Sequence, residues 1–315
     1  MASDNNVNAR ACGLARLAEA SLVAEARLTP KPGLVDCATT GAHTDMDLST
    51  FMASARALGP LFAEYVAAGA ELGPSDPAAL ADAVRRIGVR AEAAMFAATD
   101  GVNTHKGANF TFALVLGAVG ALGVDVPADG VSSLDENDVR KVLDLVSRMG
   151  AGLLDHDVRA LHERVSASEG SVELSHGEAL LLARGMQGVR GEAAQGYPQL
   201  AQTLLPYLRS QRSDRHVPGG ARIVLLRALV KLMAELEDTN VVHRGGPDAL
   251  VSHRAFCRAL DERDVSDDEL IRTLAAYDRE LIRTNVSPGG AADLLSLGIF
   301  FSLLEGLFTL DDISY

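Results

Sequence analysis

The residues that could do chemistry are concentrated in five short segments of the chain, at 29–47, 100–110, 188–198, 237–246 and 285–295. Each segment combines titratable side chains with glycine or proline and joins two apolar stretches. Polar loops held by a rigid scaffold are where binding and catalytic groups are most often found. Carboxylates in such loops act as bases or bind hard cations, whereas Lys and Arg bind phosphate.

The first segment, TPKPGLVDCATTGAHTDMD, places a lysine between two prolines. Pro30 and Pro32 keep the backbone extended around Lys31. Asp45 or Asp47 taken alone is equally well interpreted as the N-cap of the following helix, a position at which aspartate is strongly preferred. A whole set of such groups close together is harder to explain by capping. The candidate acid–base and metal-binding residues of this segment are Asp36, His43, Asp45 and Asp47.

The second segment, DGVNTHKGANF, links two helices and ends in a helix start that contains glycine. A helix start offers free N–H groups and a positive dipole end to a phosphate. Asn103, His105 and Lys106 are therefore candidates for phosphate or nucleotide binding, although the spacing is not that of a P-loop. The alternative is a polar turn with a solvated lysine.

The third segment, GVRGEAAQGYP, places Arg190 and Glu192 two residues apart between glycines. Side chains two apart on a helix do not face each other, so the spacing predicts a turn. A structural Arg–Glu pair is the alternative to a binding role.

The last two segments are EDTNVVHRGG and NVSPGGAADLL. The fourth is predicted to close a helix, with Asp238, Asn240 and Arg244 available for binding and the glycine pair as a possible C-cap. The fifth places Ser287 before Pro and Gly, and Asp293 in the first turn of the next helix. An acidic residue there can also compensate the helix dipole alone.

The elements that must position these segments are predicted to be helices throughout. Apolar residues recur with the helical period, and no alternating run is long enough for a strand. We expect one all-α domain over residues 1–315, with an active-site cleft built from interhelical loops. Polar stretches at 128–133 and 209–220 are interpreted as surface linkers. The predicted helices cover residues 8–28, 48–72, 77–99, 107–124, 136–164, 175–188, 197–210, 220–238, 247–263, 267–285 and 290–309.

Composition limits the class of function. The formal net charge of −13 argues against a general nucleic-acid binder, which needs a basic surface. Three cysteines without paired spacing predict reduced thiols rather than a disulfide or a zinc site. The apolar stretch 110–124 is shorter than the roughly 20 residues of a membrane span. With no signal peptide at the start, we expect a soluble cytoplasmic protein.

Taken together and in order, the five segments resemble the triphosphoribosyl-dephospho-CoA synthase family, which makes the prosthetic-group precursor of citrate lyase and malonate decarboxylase. The matching stretches are PKPGLVD, GAHTDMD, GVNTHKG, RGEAAQGYP, DTNVVHRGG and SPGGAADLL. The resemblance implies that ATP donates its triphosphoribosyl part to 3′-dephospho-CoA and that adenine leaves. A partner transferase then moves the product onto an acyl-carrier protein. We favour malonate decarboxylase as the destination without support from any residue, and assign no oligomeric state.

Given that reaction, the five segments supply cations for phosphates and oxygens for a base and for Mg²⁺, which we expect as the cofactor. The rival interpretations are a metal-dependent N-glycosyl hydrolase of the ADP-ribosyl type and a non-enzymatic helical scaffold or nucleotide sensor. The predicted phosphate- or nucleotide-binding residues are Lys31, Asn103, His105, Lys106, Arg190, Asn240, Arg244 and Ser287; the predicted catalytic residues are Asp36, His43, Glu192 and Asp238; the predicted metal ligands are Asp45, Asp47 and Asp293.

Overall fold

The computed structural model describes residues 2–124, 134–167, 172–212 and 219–315. Across these ranges the chain forms twelve α-helices and a π-helix, with no strand. The all-α prediction is confirmed. The elements are α1 Ala2–Arg27, α2 Leu48–Leu72, α3 Pro77–Ala98, α4 Lys106–Ala121, α5 Glu136–Ala167, α6 His176–Arg184, α7 Gly188–Ala194, the π-helix Gln199–Leu204, α8 Leu205–Ser210, α9 Arg222–Glu235, α10 Thr239–Asp261, α11 Asp267–Thr284 and α12 Gly289–Leu304.

Two helices, α4 and α12, are apolar on nearly every face and form the centre of the core. A helix without a polar face is stable only when other helices surround it, and α4 contacts α2, α3, α5 and α12. Three stacked or edge-on rings connect these elements: Phe62 lies 5.3 Å from Phe112, which lies 5.6 Å from Phe300. Both central helices begin at predicted site segments, so the core fixes where those segments lie.

Helices α2 and α4 cross at glycines. A Cβ atom at Gly69 would lie 2.0 Å from the carbonyl oxygen of Gly117, and one at Gly120 would lie 2.2 Å from that of Val66. The two backbones therefore touch, and any side chain at either glycine would force the helices apart. The high content of small residues in the sequence serves this close packing.

The predicted helix starts are confirmed where the sequence carries a cap. The side chain of Asp47 accepts from the backbone N–H of Thr50 at the start of α2, and Asp76 accepts from Ala79 at the start of α3. Ser175 and Glu178 form the predicted capping box. Several helix boundaries differ from the prediction. Helix α1 begins at Ala2 rather than at residue 8, α6 ends at Arg184 rather than at 188, and α12 ends at Leu304 rather than at 309.

Two local predictions are wrong. The segment of Arg190 and Glu192 is not a turn but the short helix α7, which lies against α5. The fourth segment does not close the preceding helix: α9 ends at Glu235, and Asp238 is instead the N-cap of α10. The pair Gly245–Gly246 does interrupt a helix as predicted, because the backbone of Gly246 (φ 79°) is not helical and breaks α10.

The two predicted linkers fall largely outside the described ranges: all of 128–133 and the centre of 209–220 lie there. The three cysteines are free thiols, with Cys12 and Cys37 exposed and Cys257 buried. Over the described residues, none of the helices has the length and apolar character needed to cross a membrane.

Candidate active site

The start of α12 is where four of the five segments meet. A Cβ at Gly33 would lie 2.4 Å from the carbonyl oxygen of Val286, and one at Gly107 would lie 2.0 Å from Oδ2 of Asp293. The backbone N–H of Ala291 donates to Asp238 at 3.0 Å. Segments one, two and four thus contact the fifth directly, although they are far apart in sequence.

Arg244 is anchored beside this helix start by three hydrogen bonds. Its guanidinium donates to the carbonyl oxygen of Ala42 at 2.6 Å, to Oδ1 of Asn285 at 3.1 Å and to Nδ1 of His43 at 3.1 Å. A guanidinium has five N–H donors, so two remain for a ligand. The half-buried Arg244 is therefore a rigid cation with donors to spare.

His43 links Arg244 to Ser287 through hydrogen bonds of its two ring nitrogens. Since arginine can only donate, Nδ1 of His43 must accept, and the ring proton lies on Nε2, 3.1 Å from Oγ of Ser287. Burial and the charge of Arg244 lower the pKa of His43 to about 4, against the opposing effect of Asp45. The imidazole is neutral at physiological pH, and the Ser287 hydroxyl keeps its own proton to donate.

The predicted metal ligands do not come together. Asp47 is occupied with capping α2 and is exposed, Asp45 lies 3.9 Å from the imidazole of His43 with 60% of its side chain exposed, and Asp293 lies against α4. Among the described residues no group of three or more His, Cys, Asp or Glu side chains is arranged to hold an ion. The three predicted ligands therefore do not form a preformed oxygen cage for a resident Mg²⁺.

Lys31 and Asp36 hold the first segment itself. The Lys31 ammonium is buried, with its side chain 2% exposed, and donates to the carboxylate and carbonyl of Glu25. Asp36 accepts from the backbone N–H groups of Lys31, Ala38 and Thr39 at 2.6–2.9 Å. Lys31 uses two of its three N–H donors on Glu25 and Asp36 accepts three backbone hydrogen bonds, so both buried side chains hold the loop in this structure.

Asp238 likewise joins two helix starts. Its carboxylate accepts from the backbone N–H of Asn240 at 2.9 Å in α10 and from Ala291 in α12. It is 3% exposed, and burial raises its pKa despite these bonds. The side chain of Asn240 covers Gly289, where a Cβ would lie 3.0 Å from Nδ2. Asp238 is therefore a double cap rather than a free base.

Glu192, Tyr197 and Asp293 form an acidic cluster that we call the acidic floor. Burial, together with the charges of Asp238 and Glu25, raises the pKa of Asp293 well above its usual range. Burial also raises the pKa of Glu192, which accepts from the Gln199 N–H at 3.2 Å. Both acids are only half-buried, so ligands can approach them. The charges of both act on Tyr197.

His105 lies buried at the start of α4. Thr104 donates to Ser54, which in turn bonds Nδ1 of His105 at 2.7 Å. Its Nε2 is buried and has no hydrogen-bond partner among the described residues. Burial and the charge of Lys31 lower its pKa to about 3, so the ring is neutral. Asn103, the other polar candidate of this segment, is exposed.

Lys106 and Arg190 lie on an exposed rim between α3, α4 and α7. Lys106 is paired with Glu92 at 3.2 Å, and the charge of Glu92 also acts on Arg190. Arg190 pairs with Asp157 and lies over the ring of Phe110, 5.5 Å from its centroid. Both cations are about half exposed, and exposed pairs of this kind exchange partners at little cost.

Sequence reasoning missed Tyr197, whose only signal is its place between Gly196 and Pro198. Two surface depressions, of about 270 and 250 Å³, are lined by other residues: the first borders Tyr207 and the second Leu143, and no predicted site residue lines either. The candidate site therefore rests on the contacts around α12.

Residues 12–311 match the family described as ATP:dephospho-CoA triphosphoribosyl transferase. A relative from Streptococcus mutans serotype c, named "Probable 2-(5''-triphosphoribosyl)-3'-dephosphocoenzyme-A synthase", is 40% identical over 300 residues, covering 93% of this chain and 97% of the relative. A protein of the same name from Streptococcus equi subsp. equi is 42% identical over 295 residues, covering 93% and 96%. No solved structure matches the chain.

Proposed function

The chain belongs to the ATP:dephospho-CoA triphosphoribosyl transferase family, and from that premise we propose how its own residues carry out the transfer. The 2′-hydroxyl of 3′-dephospho-CoA forms a bond to C1′ of the ATP ribose while the bond from that carbon to adenine breaks. The hydroxyl loses a proton, the departing adenine gains one, and the triphosphate stays on the product. The substrates are thus two polyanions that meet at a sugar carbon.

The observation that carries this proposal is that a cation and a carboxyl group both lie at the start of α12. Arg244 is held rigid by Ala42, His43 and Asn285 and keeps free donors, while Asp293 lies at the same helix start. A rigid guanidinium suits phosphate oxygens. A carboxylate can take the proton of the reacting hydroxyl and can stabilise the positive charge that develops on the sugar.

We assign the base role to Asp293 and the stabilisation of the cationic sugar to Glu192. Asp36 and Asp238 are excluded because backbone N–H groups already occupy their oxygens. His43 is excluded because Arg244 occupies the nitrogen that would take the proton. Burial raises the pKa of Asp293, and a carboxylate with a raised pKa is a stronger base at neutral pH.

We assign the phosphate contacts to Arg244 and Ser287, with Lys106 and Arg190 as exposed cations that can leave Glu92 and Asp157 for a substrate. Lys31 is reassigned to holding Glu25 in place. Mg²⁺ would enter as part of the ATP substrate, because the described carboxylates do not converge on an ion. The proposal requires no resident metal.

The product is proposed to serve a malonate decarboxylase, with citrate lyase as the other destination, and to reach an acyl-carrier protein through a separate transferase. The relatives' names speak only of the synthase. Genes next to this one that encode decarboxylase or lyase subunits would decide between the two destinations.

The test is to incubate the protein with ATP, with and without 3′-dephospho-CoA, and to measure adenine release and the mass of the product. We expect adenine to appear only when the acceptor is present, in amounts equal to the new triphosphoribosyl product. Adenine release from ATP alone at the same rate would instead identify an N-glycosyl hydrolase.

A further inference from the structure

The hydroxyl of Tyr197 is a buried polar group that no protein group satisfies. The residue is 0% exposed, and its Oη has no hydrogen-bond partner among the described residues. A buried hydroxyl without a partner destabilises a fold. Phenylalanine would fill the same space without that cost, so the hydroxyl at this position calls for an explanation.

The backbone of Tyr197 is also in an unfavourable conformation. Its φ of 54° lies in the left-handed region, which an aromatic residue rarely adopts. The conformation is enforced by a short hydrogen bond, 2.7 Å, from its N–H to the carbonyl of Glu192, and by the positive φ of Gly196 before it. Together these turn the chain from α7 into the π-helix. Strained residues of this kind cluster at ligand sites.

The surroundings of the hydroxyl define what it can bind. The charges acting on it are those of Glu192 and Asp293, so a phosphate would be repelled. A phenol donates one hydrogen bond, and carboxylates accept them. A single ligand atom that both accepts from Tyr197 and donates to a neighbouring carboxylate is best supplied by a hydroxyl oxygen.

We propose that Tyr197 contacts substrate by donating a hydrogen bond to a ribose hydroxyl bound on the acidic floor. Riboses are the parts of the two substrates that carry neighbouring hydroxyls without charge. The Tyr197 hydroxyl is covered in the free protein, so the side chains that cover it must move to admit the sugar. This assignment rests on the proposed function only in naming ribose as the source of the hydroxyl.

The test compares Tyr197→Phe with the wild-type chain in binding and in stability. Calorimetric dissociation constants are measured for ATP, 2′-deoxy-ATP and 3′-deoxy-ATP, and for 3′-dephospho-CoA and its 2′- and 3′-deoxy analogues. We expect the wild-type protein to bind one deoxy analogue about tenfold more weakly than its parent, and Tyr197→Phe to bind both alike. The analogue concerned tells which substrate supplies the ribose. The melting temperature of Tyr197→Phe should equal or exceed that of the wild-type protein.

Tyr207→Phe is the matched control. Its hydroxyl is likewise buried without a partner, but it borders a surface depression away from the start of α12. This variant should keep the wild-type discrimination between parent and deoxy nucleotides. Identical discrimination in Tyr197→Phe and wild-type protein, or no discrimination in either, would overturn the assignment. Discrimination that depends on Tyr197 in a protein that releases no adenine would instead retain the ribose site and reject the proposed transfer.

Discussion

Arg244 donates to Nδ1 of His43 over 3.1 Å, and this single contact decides the role of the histidine. A guanidinium remains protonated at every pH at which proteins are folded, so the imidazole can only accept from it. Protonating His43 would place two positive charges against each other. The histidine therefore orients Arg244 and Ser287 and does not exchange protons with a substrate.

Arg244→Lys should raise the KM for the phosphorylated substrates at least about tenfold, with a smaller effect on kcat. Lysine keeps the charge but cannot reach Ala42, Asn285 and His43 at once, so the cation is no longer held rigid. Steady-state kinetics of adenine release provide the measurement. Arg283→Lys, at an exposed arginine paired with Glu280, is the control and should behave like wild-type protein. An unchanged KM in Arg244→Lys would show that Arg244 is structural.

The contribution of the buried histidines to the free energy of unfolding should fall as the pH is lowered from about 6.5 to 4, whereas buried carboxyls with a raised pKa, such as Asp238, act in the opposite direction. Burial lowers the pKa of His253 to about 4 in the folded protein, whereas the pKa of a histidine in an unfolded chain is about 6.5. Between these values the unfolded state binds more protons, so acid favours it. His43 and His105 act in the same direction. The contribution of His253 is on the order of 3 kcal/mol at most.

Denaturant unfolding of wild-type protein and His253→Gln at several pH values measures this effect. Glutamine does not titrate, so the variant should lose stability less steeply between pH 6.5 and 4, whatever its stability at pH 7. His253 lies outside the site, against Tyr277, which separates this effect from catalysis. Parallel curves for the two proteins would contradict the assignment of His253.

Much of the fold was predictable because its signals are local. Apolar periodicity located the long helices, and capping residues such as Asp47, Asp76 and Ser175 fixed three starts within a residue. Helix α7 was missed because seven residues with two glycines carry little periodicity, and its stability comes from packing against α5. The sequence predicted the interruption of α10 at Gly246, but not the helical turns of α10 that precede this glycine.

The site was predictable as a set of segments but not in its individual roles. Whether Asp36 is a base or a loop staple depends on three N–H groups that only the folded loop brings to it. The burial of Lys31 against Glu25 likewise depends on the tertiary structure and could not be read from the sequence. Tyr197 was missed because its place between Gly196 and Pro198 is a weak signal, and neither its backbone conformation nor its unsatisfied hydroxyl can be read from the sequence.

Asp293→Asn should lower turnover at least about 100-fold if Asp293 is the base, because a general base contributes on that order. The melting temperature should stay equal or rise, since burial and nearby Asp238 disfavour the charge. Asparagine can still accept the hydrogen bond that the backbone N–H of Ala108 in α4 donates to Asp293. If Asp293 only caps that helix, the variant should therefore show normal turnover. Asp47→Asn is the matched control: this aspartate caps α2, and its variant should keep wild-type turnover and stability.

Removing divalent cations should abolish turnover while leaving the free protein unchanged. A triphosphate beside Glu192 and Asp293 is repelled unless a cation offsets part of its charge, so we expect Mg²⁺ to be required. Within the described ranges, however, no cluster of acidic or imidazole side chains is built to hold an ion, and the cation should arrive with ATP. Excess chelator should therefore stop adenine release, excess Mg²⁺ should restore it, and the melting temperature of the protein without substrates should be the same with and without chelator. A melting temperature that drops on chelation would reveal a resident metal, and turnover that persists in chelator would mean that cations such as Arg244 neutralise the phosphates alone.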